Sequence, residues 1–157
     1  MKKVFHFESP RAKYLCDAAI IWCFDNRFEL SFRKYLKRIG VSNSDSIKIA
    51  GGAKSLASPD LETDREFVLE QIRKSMRLHA TTRVILMVHT DCGAYGGLAG
   101  GFGGDARAEA EHHQNELQRA ASTLLKVLPT LDVQAYFVDF EGVWKTELGR
   151  TPPPVVG

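Results

Sequence analysis

Arg83-Val-Ile-Leu-Met-Val-His89-Thr-Asp-Cys92-Gly93 sets five successive apolar side chains between an arginine and a histidine, then closes on a thiol and a glycine. A strand covered on both faces reads as an unbroken apolar run, whereas a strand with one wet face alternates. Arg83–His89 is therefore predicted as a central strand. Ala18-Ala-Ile-Ile-Trp-Cys-Phe24 has the same character and predicts a second one. Helical patterns separate these runs. The alternation predicts an α/β fold of three layers, with a mostly parallel central sheet of four to five strands.

Working outward, Asn26 is placed to cap a helix with Phe28, Phe32, Tyr35 and Ile39 inward, ended by Gly40. Ser46–Ala50 predicts a short strand running into Gly51-Gly52. Thr63-x-x-Glu66 has the form of a capping box for a helix with Val68, Ile72 and Met76 on one face. The seven glycines between Gly93 and Gly104 predict an irregular, mobile loop. Asp105 then caps a long helix with Leu117, Ala121, Leu124 and Leu128 inward, stopped by Pro129. Asp132–Val138 is a fourth strand, and the proline-bearing stretch Gly149–Gly157 predicts an extended arm. No repeat or linker divides the chain, so one domain is expected over residues 1–157.

A formal charge of +2 at pH 7 is too balanced for a nucleic-acid or anionic-membrane partner. The longest apolar runs are far too short to span a bilayer. The first residues carry two lysines but no apolar stretch, so no signal peptide is expected. Three cysteines without framework spacing read as reduced thiols, which predicts a cytoplasmic protein.

Both apolar strands end in chemistry. Cys23-Phe-Asp25-Asn-Arg27 follows the first, and His89-Thr-Asp-Cys92-Gly93 follows the third. Two thiolates and an imidazole are the donors that Zn²⁺ prefers, and three firm ligands leave a fourth position open. In open α/β sheets, sites form outside the carboxyl ends of strands where the strand order reverses. A right-handed crossover can set the first and third strands side by side, joining the two fragments into one site.

Taken together, C-x-D-x-R after the first strand and H-x-x-C-G after the third resemble the signature of the β-class carbonic anhydrases. Ala50-Gly51-Gly52 is similar to that family's turn at the edge of the active site. The resemblance spans Ala18 to Gly97. It implies one Zn²⁺ held by Cys23, His89 and Cys92, with Asp25 and Arg27 as the catalytic dyad. It also implies reversible hydration of CO₂ by zinc-bound hydroxide. Gly51, Gly52 and Gly93 would bring backbone amides toward substrate or ligand sulfur. Phe24, Ile49, Tyr95 and Leu98 are candidate walls of an apolar pocket. The family places its site near a two-fold interface, so a homodimer or higher homo-oligomer is implied. Phe24 and Asn26 stand where the family has small polar residues, and Lys48-Ile49 where it has Arg-Asn. Two alternatives use the same ligands: a hydrolase of CS₂ or COS, and a non-catalytic zinc protein.

Other motifs have plainer readings. Cys16 is a packing residue. His112-His113 are adjacent on a helix and diverge by about 100°, so they do not chelate, and His113 shares the inward Leu117 stripe. His6 and His79 lack ligand-like company. Gly52-Ala-Lys54-Ser55 lacks the upstream glycine of a phosphate loop, and Gly101–Ala106 does not follow a strand as a dinucleotide loop must. Arg33, Lys34, Lys37 and Arg38 form a solvated basic face.

Overall fold

The computed structural model describes residues 1–149, so the expected tail arm lies almost wholly outside the described residues. Strand β1 (Ala18–Trp22) leads through a 3₁₀ turn into helix α1 (Glu29–Arg38) and strand β2 (Ser44–Lys48). Helices α2 (Lys54–Ala57) and α3 (Glu62–His79) precede β3 (Arg83–His89). Helices α4 (Gly97–Phe102) and α5 (Ala106–Val127) then lead to β4 (Asp132–Val138) and β5 (Val143–Lys145). The sheet order is β2-β1-β3-β4-β5, parallel except for the β4–β5 hairpin.

Alternate residues of the central strands feed two separate cores. Ala19, Ile21, Val84, Leu86 and Val88 face α2, α3 and α5, where they meet Leu56, Ile72, Leu117 and Leu124. Ala18, Ile20, Trp22, Ile85 and Met87 face α1 and meet Phe28, Phe32 and Leu36. The predicted three-layer α/β sandwich is therefore the architecture observed. Among the described residues no helix is long and apolar enough to cross a membrane.

The order also locates the functional edge. From β1 the chain steps to β2 on one side, then returns to β3 on the other. That is the switch-point arrangement, and the crevice lies beyond the carboxyl ends of β1 and β3. These strands are direct neighbours, with Ile20 opposite Ile85 and Ile21 opposite Leu86.

Several local expectations need correction. Asp25, not Asn26, caps the turn after β1, its side chain accepting from the Arg27 amide at 3.0 Å. Strand β2 starts and ends two residues earlier than expected, because Trp22 pairs with Lys48 and the chain then turns through Ile49 to Gly52. Thr63 caps nothing: α3 begins at Glu62, and its cap residue Leu61 makes no side-chain bond. Glu62 and Asp64 instead place negative charge in the first turn, against the helix dipole. The glycine stretch is ordered into a 3₁₀ turn over Gly93–Tyr95 and helix α4. Its glycines allow close approach, since a Cβ on Gly101 would lie 2.2 Å from the Tyr95 carbonyl oxygen. By contrast, Asp105 caps α5 as expected, accepting from the amides of Arg107 and Ala108.

Candidate metal centre

Cys23 follows β1 directly, His89 ends β3, and Cys92 lies one turn beyond it. The strand order brings these three buried side chains together, with ligand atoms all within 4.8 Å of one another. Ligands at zinc's usual bond lengths of about 2.0–2.3 Å lie roughly 4 Å apart, so a small inward shift of these side chains would close all three on one ion.

The histidine ring supplies the test of fit. His89 Nδ1 lies 2.8 Å from the Thr90 carbonyl oxygen, which only accepts, so Nδ1 carries the proton. Nε2 is fully buried, faces the two sulfurs and has no hydrogen-bond partner among the described residues; in the neutral ring it offers them a lone pair. An orphaned buried acceptor facing two thiols is costly unless a cation completes it. A ring oriented by a backbone carbonyl is also the usual support for a metal-bound histidine.

The sulfurs are set up as a pair. Hydrogen bonding from Cys92 draws the Cys23 thiol below its ordinary value against the opposing effect of burial, and the amides of Asp25 and Gly51 act in the same direction. Cys92 is pushed the other way by the Cys23 sulfur and by burial. A coordinated dication deprotonates both thiols.

Asp25 and Arg27 form the outer wall. Arg27 Nη2 meets Asp25 Oδ2 at 2.7 Å, and Nε lies 3.1 Å from each carboxylate oxygen. Hydrogen bonding to Arg27, opposed by burial, brings the Asp25 carboxyl down to about 2. Asp25 Oδ2 stands 3.9 Å from His89 Nε2, at the mouth of the cluster. The guanidinium is also held from the other side, by Asp91 Oδ2 at 2.9 Å and the Asp91 carbonyl at 3.0 Å. The rings of Phe28 and Phe140 stand 5.6 and 5.7 Å from it.

The remaining expected site residues divide. The Gly51 amide reaches both sulfurs. Gly52, at φ +55°, is wedged behind the site, where a Cβ would meet Met87, Cys23 and Trp22 backbone atoms. Nothing lies within 4 Å of a Cβ built on Gly93. Of the proposed walls, Phe24 is 64% exposed beside the dyad. Ile49 and Tyr95 pack against the core instead, and the Tyr95 hydroxyl donates to Glu116. Ile49 also lines a side cavity of about 260 Å³ with Lys54, Phe67 and Ala94. Cys16 is buried, as expected, and His113 is a core histidine surrounded by Tyr95, Phe102 and Phe137. His79 pairs with Asp45 and Tyr14, away from any ligand cluster. Sequence reading missed Asp91 and Phe140. Asp91 was visible only as a spacer inside H-x-x-C, and Phe140 sits on a hairpin without a strong sequence signal.

Fold and donor set together define a switch-point α/β protein with a Cys–His–Cys group at its crevice that could hold a metal ion. Residues 15–148 match the family described as "Putative carbonic anhydrase", and the chain belongs to that family. It is 24% identical over 135 residues to an uncharacterized protein of Rickettsia bellii, covering 85% of this chain and 82% of that one. Its fold is similar to a β-carbonic anhydrase of Trichomonas vaginalis, with TM-score 0.57, 13% identity, and 92% and 90% of the two chains covered. The β-carbonic anhydrase CafA of Aspergillus fumigatus gives TM-score 0.54, 15% identity, and coverage of 88% and 78%.

Proposed function

We propose that the chain is a zinc-dependent carbonic anhydrase, with Cys23, His89 and Cys92 as ligands and Asp25 and Arg27 as the catalytic dyad. The bare, buried Nε2 of His89 beside two thiols carries the reading. When bound, zinc supplies a water acidified toward neutral pH, the nucleophile that CO₂ requires.

The chain's own residues orient that chemistry. Asp25, ionised down to a pH of about 2, accepts a hydrogen bond from the nucleophile and aims its lone pair. Its low basicity suits it to orientation rather than to storing the proton. Arg27, a permanent cation, fixes the carboxylate through paired bonds and keeps it from closing over the ion. Backbone amides of Asp25, Gly51 and Ala94 bond the sulfurs and moderate their donation to the ion. Exposed Phe24 and Phe140 flank the entrance with apolar surface, which suits a substrate without a net dipole.

The deciding experiment is stopped-flow CO₂ hydration by zinc-loaded protein and by Arg27→Ala. The variant is expected to keep its zinc and lose at least 100-fold in rate, a typical loss for a group that orients reactants. Sulfide release from COS or CS₂ without CO₂ hydration would reassign the substrate. Zinc binding with both assays blank would leave a non-catalytic zinc protein. A homo-oligomer is part of the proposal, supported by uncovered aromatic surface on the N-terminal segment. The free cysteines among the described residues support a reducing, cytoplasmic setting.

A further inference from the structure

One buried acid has no place in the scheme above. Glu109, in the first turn of α5, is 1% exposed. Its carboxylate accepts from the Thr90 hydroxyl and, at 2.6 Å, from the Asp91 amide. Thr90 and Asp91 are the two residues that separate His89 from Cys92. Among the described residues its one ion-pair partner is His113, 3.8 Å away. Packing alone would favour an apolar side chain at so dry a position. What the carboxylate adds is a pair of hydrogen bonds to the ligand loop.

The loop needs them because of its shape. Asp91 holds φ at +53°, a left-handed conformation that non-glycine residues seldom adopt. That bend turns the Asp91 carboxylate toward Arg27 and toward the Leu98 amide, both at 2.9 Å. It also turns the Asp91 carbonyl to Arg27. A single α5 carboxylate thus reaches the ligand spacing and the anchor of the dyad at once.

We propose that Glu109 is a positioning residue of the metal centre, fixing through Thr90 and Asp91 the loop that presents His89 and Cys92 and the group that anchors Arg27. The proposal rests on the reading of Cys23, His89 and Cys92 as ligands. Loss of such outer support typically costs about 10–100-fold in metal affinity or activity.

The test uses the full chain, with zinc affinity measured by competition against a chromophoric chelator. Cobalt-substituted protein reports ligand geometry through its d–d and thiolate-to-metal bands, and circular dichroism reports the folded fraction. Glu109→Leu is expected to weaken zinc binding about tenfold or more and to shift the cobalt bands. Glu109→Gln, whose amide oxygen still accepts from Asp91, is expected to recover most of that loss. Thr90→Val, which removes one of the two bonds, is expected to fall between them. A Glu109→Leu protein that melts earlier but keeps wild-type affinity and bands overturns the proposal, leaving Glu109 a purely structural group. If Glu109→Leu does not fold, Thr90→Val decides: wild-type affinity and bands overturn the proposal. A wild-type protein that binds neither metal removes the ligand reading itself, and the proposal with it.

Discussion

A Cβ added at Gly52 would lie 2.4 Å from the Met87 carbonyl oxygen in β3 and 2.9 Å from the Cys23 amide nitrogen just beyond β1, both backbone atoms. The Met87 carbonyl is held in place, since it accepts from the Ala53 amide at 3.2 Å. Gly52→Ala is therefore expected to destabilise by about 3 kcal/mol, from backbone strain at positive φ plus overpacking. Urea unfolding measures it. Cys92→Ser should behave differently: serine matches the thiol's shape but is a poor zinc donor. Elemental analysis is expected to show zinc falling from one per chain to well below half, with the far-ultraviolet spectrum unchanged. At this scale the cluster of Cys23, His89 and Cys92 was legible because Cys and His at strand ends are chemically demanding choices. Asp91 was not, since its contribution depends on a backbone angle and on a partner, Arg27, far away in sequence.

Helix α5 carries a histidine that burial keeps neutral, even with the Glu109 carboxylate 3.8 Å away. Burial, with smaller repulsion from His112 and His89, brings the His113 imidazole down to about 3. An unfolded histidine titrates near 6.5, so between about pH 6.5 and 3 the unfolded chain binds a proton that the folded chain refuses. Stability therefore falls as pH drops through that window. The cost from this residue is about 2 kcal/mol between pH 7 and pH 5. His113→Leu is expected to remove that component, which urea titrations of both proteins at the two pH values would detect as a reduced loss in the variant. Elements with strong patterns, β3, β4 and the start of α5, fell where the residues placed them. The glycine stretch did not, because glycine count reports conformational permission and says nothing of which neighbours use it. Gly96 and Gly97 take left-handed angles, and the Cys92 carbonyl accepts from the Tyr95 and Gly97 amides, which closes the turn. Strand β5, three residues long, was too short to signal at all.

At the level of the whole molecule, strand order rather than any single motif creates the site, and the sequence permitted that order without dictating it. The N-terminal segment remains uncovered: Phe5 and Phe7 are 77% and 73% exposed and stack on each other. Exposed aromatic surface of this kind supports the proposed self-association. Sedimentation velocity is expected to give at least twice the 17.5 kDa chain mass, and Phe5→Ser with Phe7→Ser should shift the protein toward monomer. The β1–β3 adjacency bears on biosynthesis too. Cys23 leaves the ribosome well before His89 and Cys92, and the second edge of β1 waits bare until β3 is made. A half-translated polypeptide holds only Cys23 of the three clustered side chains. With the proposed ligand set, metal loading would follow translation of the third strand, and could not guide the folding of what precedes it.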